Sequence, residues 1–298
     1  MPDNNNKDQG LIGVGAAFTA FSLWGIYPLY FKALSQVPAF EILSHRIFWT
    51  VIFLGLFIIL SGRGHHVRDV LHNKRLLATL LLSSLLVSIN WLVFIWAVGH
   101  DRVLETSLGY FINPLVSVAL GMIFLKEKLR LWQWLAVGMS VLGVANLIGQ
   151  LGTVPWVSLS VAISFGLYGL IRKIAVVDAY TGLFVETTLI MPPVLIFLIY
   201  IGVQGTGMFG FDDIKLDGLL MMSGVLTATP LVLFAIAAKR LRLSTLGFLQ
   251  YIAPSGHFIL AVFIYNEPFT DAHKITFGMI WLALAIYTVD NITARRKS

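Results

Sequence analysis

The side chains best placed to do chemistry in this sequence are ionisable groups inside long apolar runs. Glu41, His45 and Arg46 stand within EILSHRIFWT, and Glu186 within FVETTLIMPP. An ionisable group at depth in hydrocarbon costs roughly 2.5–3.5 kcal/mol on an insertion scale, so it turns toward a partner or toward water. Glu41 and His45 are four residues apart and share a helix face, whereas Arg46 is rotated by about 100° from His45. Arg46 and Glu186 lie deeper than the membrane interface and are read as functional, whereas Glu41 is read first as an interfacial, snorkelling group. A titratable group reached in turn from both faces would couple solute movement to protons, and Glu186 and His45 are available for that role. Static interhelical pairing with passive transport is the alternative.

Around these charges fall aromatic and amide side chains. Trp24, Tyr27, Trp91, Trp96, Tyr110, Tyr168 and Tyr251 suit an organic, partly apolar substrate, and Asn90, Asn113 and Gln250 add directional hydrogen bonds. Each could instead serve helix packing or interhelical hydrogen bonding. Pro28, Pro114, Pro230 and Pro254 interrupt apolar runs. Pro114 and Pro254 occupy matched places, where freed backbone groups can face a cavity.

Soluble enzyme chemistry finds no support. The sequence has no Gly-x-Ser-x-Gly, no His-Glu-x-x-His and no phosphate-binding glycine loop. With no cysteine there is no thiolate metal site and no cysteine nucleophile. No cofactor and no metal are expected, and His65-His66 reads as part of a basic loop. One enzyme reading survives: an integral-membrane enzyme on a lipid-linked substrate, with Glu41, His45 and Glu186 as acid–base groups.

These residues need elements to hold them, and composition says which. Of 298 residues 57% are hydrophobic and 12% charged, too apolar for a soluble chain of this size. Ten windows of the length a membrane-spanning helix needs can be marked, near 10–31, 40–60, 76–98, 104–125, 131–150, 154–171, 181–203, 216–238, 244–265 and 272–292. The first lacks a small-x-small cleavage site and is long for a signal peptide, so it reads as a span. With the amino terminus inside, the inside segments hold 16 of the 21 lysines and arginines, the outside loops hold four, and Arg46 lies within a span. That bias puts both termini in the cytoplasm. The basic pI of 9.5 therefore reflects loop anchoring at a lipid bilayer and not a nucleic-acid partner.

The sequence also repeats. Phe111-Ile112-Asn113-Pro114 and Glu127 match Tyr251-Ile252-Ala253-Pro254 and Glu267 at an offset of 140, and Ser107-Leu108-Gly109 matches Thr245-Leu246-Gly247 at 138. Trp24-Gly25 answers Tyr168-Gly169, and Arg46 and Glu186 share the offset of 140. A duplicated five-helix unit must enter the membrane from the opposite face, so residues 1–150 and 151–298 are expected to be inverted repeats in an all-α membrane fold of ten helices. Such repeats bind near the midplane and alternate access by rocking.

The strings SLWGIYPLYFK (22–32), EILSHR (41–46), NWLVFIWAV (90–98), ETSLGYFINPLVS (105–117), LGMIFLKEKL (120–129) and LRLSTLGFLQYIAP (241–254) resemble the EamA group of the drug/metabolite transporter superfamily. The resemblance runs from Leu11 to Asp290. It implies a permease of the bacterial inner membrane with inverted five-helix repeats; relatives in the superfamily export metabolites, and export of a small metabolite or drug-like molecule is the leading expectation. It also implies a cavity between spans 1–4 and 6–9, with Trp24, Arg46, Asn90, Tyr110, Tyr168, Glu186 and Gln250 among its lining candidates.

Overall fold

Backbone N–H and C=O groups find no water partner in lipid, so long apolar runs close their hydrogen bonds internally as helices. The computed structural model describes residues 3–126, 129–210, 213–240 and 249–297, and among these every regular element is helical. The helices are α1 (Asp3–Ala33), α2 (Ala39–Leu60), α3 (Gly64–Leu71), α4 (Lys74–Gly99), α5 (Val103–Leu125), α6 (Leu131–Leu151), α7 (Trp156–Ile174), α8 (Ala179–Val203), α9 (Ile214–Arg240), α10 (Ile252–Ile259) and α11 (Asp271–Lys297). A π-helical turn, Leu260–Ile264, continues α10.

Eight of these are long and apolar enough to cross a membrane, namely α1, α2, α4, α5, α6, α8, α9 and α11. Two apolar stretches are shorter, Trp156–Arg172 in α7 and Ile252–Ile264. Each of the ten expected windows falls on a helix. The ninth is described only from residue 249, so Thr245-Leu246-Gly247, like Glu127, lies outside the described residues. The sequence reading passed over α3, an eight-residue helix whose Val70 is buried against Leu80 and Val185.

Helix α6 packs on α11 and α5 on α7, while α1 lies against α9 and α10, α2 against α8 and α9, and α4 against α7 and α8. One core runs through this bundle, from Tyr27 and Phe31 through Trp91, Phe94 and Leu108 to Phe277 and Ile280. Outward-facing apolar side chains such as Ile59, Leu60 and Val203 are more than 70% exposed, as lipid contact requires.

Three crossings bring backbones together. A methyl group on Gly256 would meet the Gly25 carbonyl oxygen at 2.8 Å, one on Gly109 the Ser158 carbonyl oxygen at 2.7 Å, and one on Gly224 the Trp49 carbonyl carbon at 2.5 Å. Glycine is required there for want of space, and small residues permit this close approach between membrane helices.

Prolines sit inside α1 (Pro28), α5 (Pro114) and α9 (Pro230). Pro254 is the third residue of α10, where its missing N–H would have had no intrahelical acceptor. Helix α8 carries Pro192 and Pro193 as well, which the sequence reading did not single out.

Candidate functional site

The bundle has two ends. One carries the starts of α2, α5, α7, α9 and α11 and few cations; the other carries the loop with α3 and the carboxyl terminus and is rich in them. Two polar clusters lie between these ends.

Arg46 centres the first cluster. It is 5% exposed, its Nε donates to Thr227 Oγ1 at 2.8 Å, and its Cζ lies 4.1 Å from the Trp91 ring centroid and 5.6 Å from that of Phe31. Such stacking exploits the negative face of the indole ring. Tyr27, Tyr30 and Tyr110 close around the guanidinium. Their hydroxyl protons are already committed: Tyr27 to the Leu226 carbonyl, Tyr30 to the Leu219 carbonyl and Tyr110 to Asn90 Oδ1. Asn90 donates in turn to the Val161 carbonyl at 2.9 Å and Ser164 Oγ at 3.1 Å, which joins α4 to α7.

Glu186 centres the second. It is fully buried in α8, accepts from Ser83 Oγ at 2.6 Å, and lies 3.6 Å from Arg172 Nη1, with Tyr168 facing the same carboxylate. Sequence reasoning counted Arg172 as a loop cation. In the structure it belongs to the last turns of α7 and its side chain turns inward, 17% exposed, to meet Glu186.

The remaining expected residues distribute around these clusters. Trp24 packs with Phe21 and Phe234, and its carbonyl oxygen lies 2.9 Å from His257 Nε2, which therefore carries the proton. The same His257 ring stands 5.3 Å from Phe94 and 5.7 Å from Tyr110. Asn113 in α5 has a buried Oδ1 without a hydrogen bond. The Pro254 carbonyl accepts from Ser107 Oγ at 2.8 Å, tying α10 to α5. Tyr251 stacks on Phe111, and both line a lateral cavity of about 650 Å³ shared with Phe258 and Trp281. Gln250 precedes Tyr251 in the turn before α10.

His45 and Glu41 do not join Arg46. They face the segment after α8, where Glu41 Oε1 accepts from Met208 N–H at 2.7 Å and the His45 ring lies 5.0 Å from Phe209. His45 Nε2 is 3.9 Å from Glu41. Glu186 stands 15 residues before Ile201, an α8 residue that meets this segment at Gly207, or about 22 Å of helix. An acid–base trio of Glu41, His45 and Glu186 is not assembled.

Further links hold the cation-poor end. Lys32 pairs with Asp101, and Glu267 accepts the N–H groups of Val103 and Leu104 at 2.7 and 2.8 Å. Those are two of the N–H groups that a helix start leaves without intrahelical partners. Burial raises the Glu267 carboxyl above the usual glutamate range, against the pull of the two N–H donors. The π-helical turn and Asn266, in the left-handed region at φ 53°, set Glu267 in position. Neither Glu267 nor Tyr30, Ser83, Thr227 and His257 was singled out from sequence as part of this network; the only signal was Glu267 closing a repeat motif.

The chain has relatives among known proteins. Residues 11–149 match the EamA-like transporter family. A transporter of Vibrio cholerae is 46% identical over 98% of this chain and 96% of its own length, and the protein RarD of Salmonella typhi is 46% identical over 96% and 97%. RarD of Escherichia coli is 43% identical, also over 96% of this chain and 97% of its own. A solved crystal structure with 19% identity and a TM-score of 0.59 covers 95% of this chain and 98% of that one, and shares its fold.

Proposed function

The chain belongs to the EamA-like transporter family, among its RarD-type members, and from that premise we propose a secondary transporter that moves a small organic molecule across the bacterial inner membrane by alternating access. Membership makes it a multi-pass membrane protein of the drug/metabolite transporter superfamily. Export is the direction the family resemblance favours, and the 16 to four division of loop cations favours both termini in the cytoplasm.

One observation carries the mechanism: the main helix contacts recur when the halves are exchanged. Substituting α7, α8, α9, the Ile252–Ile264 stretch and α11 for α1, α2, α4, α5 and α6 turns the α1–α9 contact into α7–α4. It likewise turns α2–α9 into α8–α4 and α5–α7 into α10–α1, and leaves α2–α8 and α6–α11 as they are. This favours two inverted five-helix repeats with ten spans, and inverted repeats supply a site at their interface that rocking opens to either face in turn.

That interface is the layer between α2, α4, α8 and α9, and the substrate site proposed there is built from Tyr27, Arg46, Asn90, Trp91 and Tyr110, with Tyr168 and Glu186 on the opposite side. Trp24, Asn113 and Pro114 flank it. His45, Gln250, Tyr251 and Pro254 act at its margins. Proton coupling would use Glu186, which is buried and reached through Arg172 from the cation-rich end.

The experiment is counterflow in proteoliposomes with a panel of metabolites and drug-like compounds, with and without a proton gradient. Saturable counterflow, reduced at least tenfold by Glu186→Gln, is expected. Flux of no compound under any gradient would remove the transport reading.

A further inference from the structure

Every buried carboxylate among the described residues has a partner of its own. Glu41 holds Met208 N–H, Asp217 holds Gly210 N–H, and Glu267 holds two N–H groups at the start of α5. Glu186 holds Ser83 and Arg172, and Asp290 holds Arg130. Arg46 has no carboxylate partner among the described residues. Its one hydrogen bond among the described residues, from Nε to Thr227, leaves the edge that carries Nη1 and Nη2 without an acceptor among them.

Arginine cannot shed its proton in a protein, so this charge persists at 5% exposure. The ring face of Trp91 offsets part of its desolvation but is no counter-ion. A buried charge needs a partner, and an intramembrane arginine without one marks a ligand pathway.

Resting on the transporter reading above, we propose that the substrate is an aromatic carboxylate, held two-pronged by the free edge of Arg46 with its ring against Trp91 and Phe31. The planar guanidinium fork matches the two oxygens of a carboxylate, and paired N–H donors bind it more tightly than a point charge does. Tyr27, Tyr30 and Tyr110 have given their protons to Leu226, Leu219 and Asn90, so the anion is left to the arginine. A cationic substrate would meet the guanidinium as a like charge.

Access is readable too. A cavity of about 190 Å³ at the cation-poor end is lined by Phe31, Ile42 and Ile95, and the same Phe31 ring is 5.6 Å from Arg46 Cζ. Phe31 therefore borders both that cavity and the guanidinium.

The test is a thermal-stability measurement on the purified full chain with phenylacetate, phenylacetamide and phenethylamine, since a ligand of the folded state raises stability by mass action. Phenylacetate alone should stabilise, the effect should vanish in Arg46→Gln, and Arg46→Lys should weaken apparent affinity at least tenfold. Stabilisation by the amide or the amine equal to that by the acid, stabilisation by none of the three, or an acid effect surviving in Arg46→Gln overturns the proposal. If Arg46→Gln does not fold, the lysine variant decides alone: undiminished affinity there overturns it. Counterflow of uncharged compounds by the same preparation, alongside any of those failures, would leave the transporter reading standing and sink only the carboxylate.

Discussion

Arg46 and Glu186 each stand seven residues after the first residue of their helix, Ala39 for α2 and Ala179 for α8, and these two helices pack together while starting from opposite ends of the bundle. At 1.5 Å per residue each side chain is about 10 Å along its helix, one measured from either end. The pair differs in company. Glu186 has a cation beside it, and Arg46 has no carboxylate partner among the described residues.

The Arg172–Glu186 pair should therefore be energetically coupled. In Glu186→Gln or Arg172→Gln one charge is left poorly compensated, so the double variant should be more stable than the sum of the single losses implies. A coupling of about 1–3 kcal/mol is expected from unfolding measurements on the four proteins. Additive losses would mean that the two charges stand close without sensing each other.

Thr227 fixes the orientation of the Arg46 plane. Thr227→Val keeps the shape and removes the acceptor of Arg46 Nε, so stability should fall by about 1.5–3 kcal/mol, the range for a hydrogen bond to a charged group. Thr227→Ser retains the hydroxyl and should recover most of the loss in the same thermal unfolding assay.

Gly224→Ala tests the α2–α9 crossing. Its methyl would fall 2.5 Å from the Trp49 carbonyl carbon, and overpacking of this kind costs about 1–3 kcal/mol. Gly138→Ala, with nothing within 4 Å of the new methyl, should leave the melting temperature almost unchanged.

Acid should weaken the start of α8. Burial on its own would raise the Asp178 carboxyl, but the nearby Thr181 hydroxyl and hydrogen bonds from the Thr181 and Tyr180 N–H groups, with Arg63 nearby, hold it below the usual aspartate value. A lowered folded value means that the stabilisation is complete above the ordinary 3.8 and is lost as pH falls through the lower folded value. Melting temperatures followed downward from about pH 5 should drop more steeply in the wild type than in Asp178→Asn, because the variant lacks that carboxylate at every pH. Loss of the cap in Asp178→Ala should cost about 1 kcal/mol at neutral pH.

Long-range periodic features were legible from sequence; side-chain company was not. Apolar runs of spanning length fix helices wherever they fall, which is why the expected windows fall on α1, α2 and α4 to α11. The depth of Arg46 and Glu186 follows from counting along those runs. Their partners do not: Thr227 is 181 residues from Arg46 and Ser83 is 103 from Glu186, and no spacing rule joins such positions. Arg172 was hidden because a cation near a helix end reads as loop anchoring, and only the packing of α7 with α4, and of α4 with α8, turns it inward. Aromatic residues were recognised as a class but not sorted. Trp91 lies on the guanidinium while Tyr251 lines a lateral cavity, and both occur in similar apolar contexts.

The Glu267 carboxylate that closes the start of α5 reaches back 163 residues to Leu104. At about 5–20 residues per second of synthesis, that interval is about 8–33 s. For that time α5 exists in the nascent chain without its final N-terminal partner, and its last lock is set only after residue 267 has been made. A chain stopped before residue 267 would contain α5 in full and still leave its first turn unsealed.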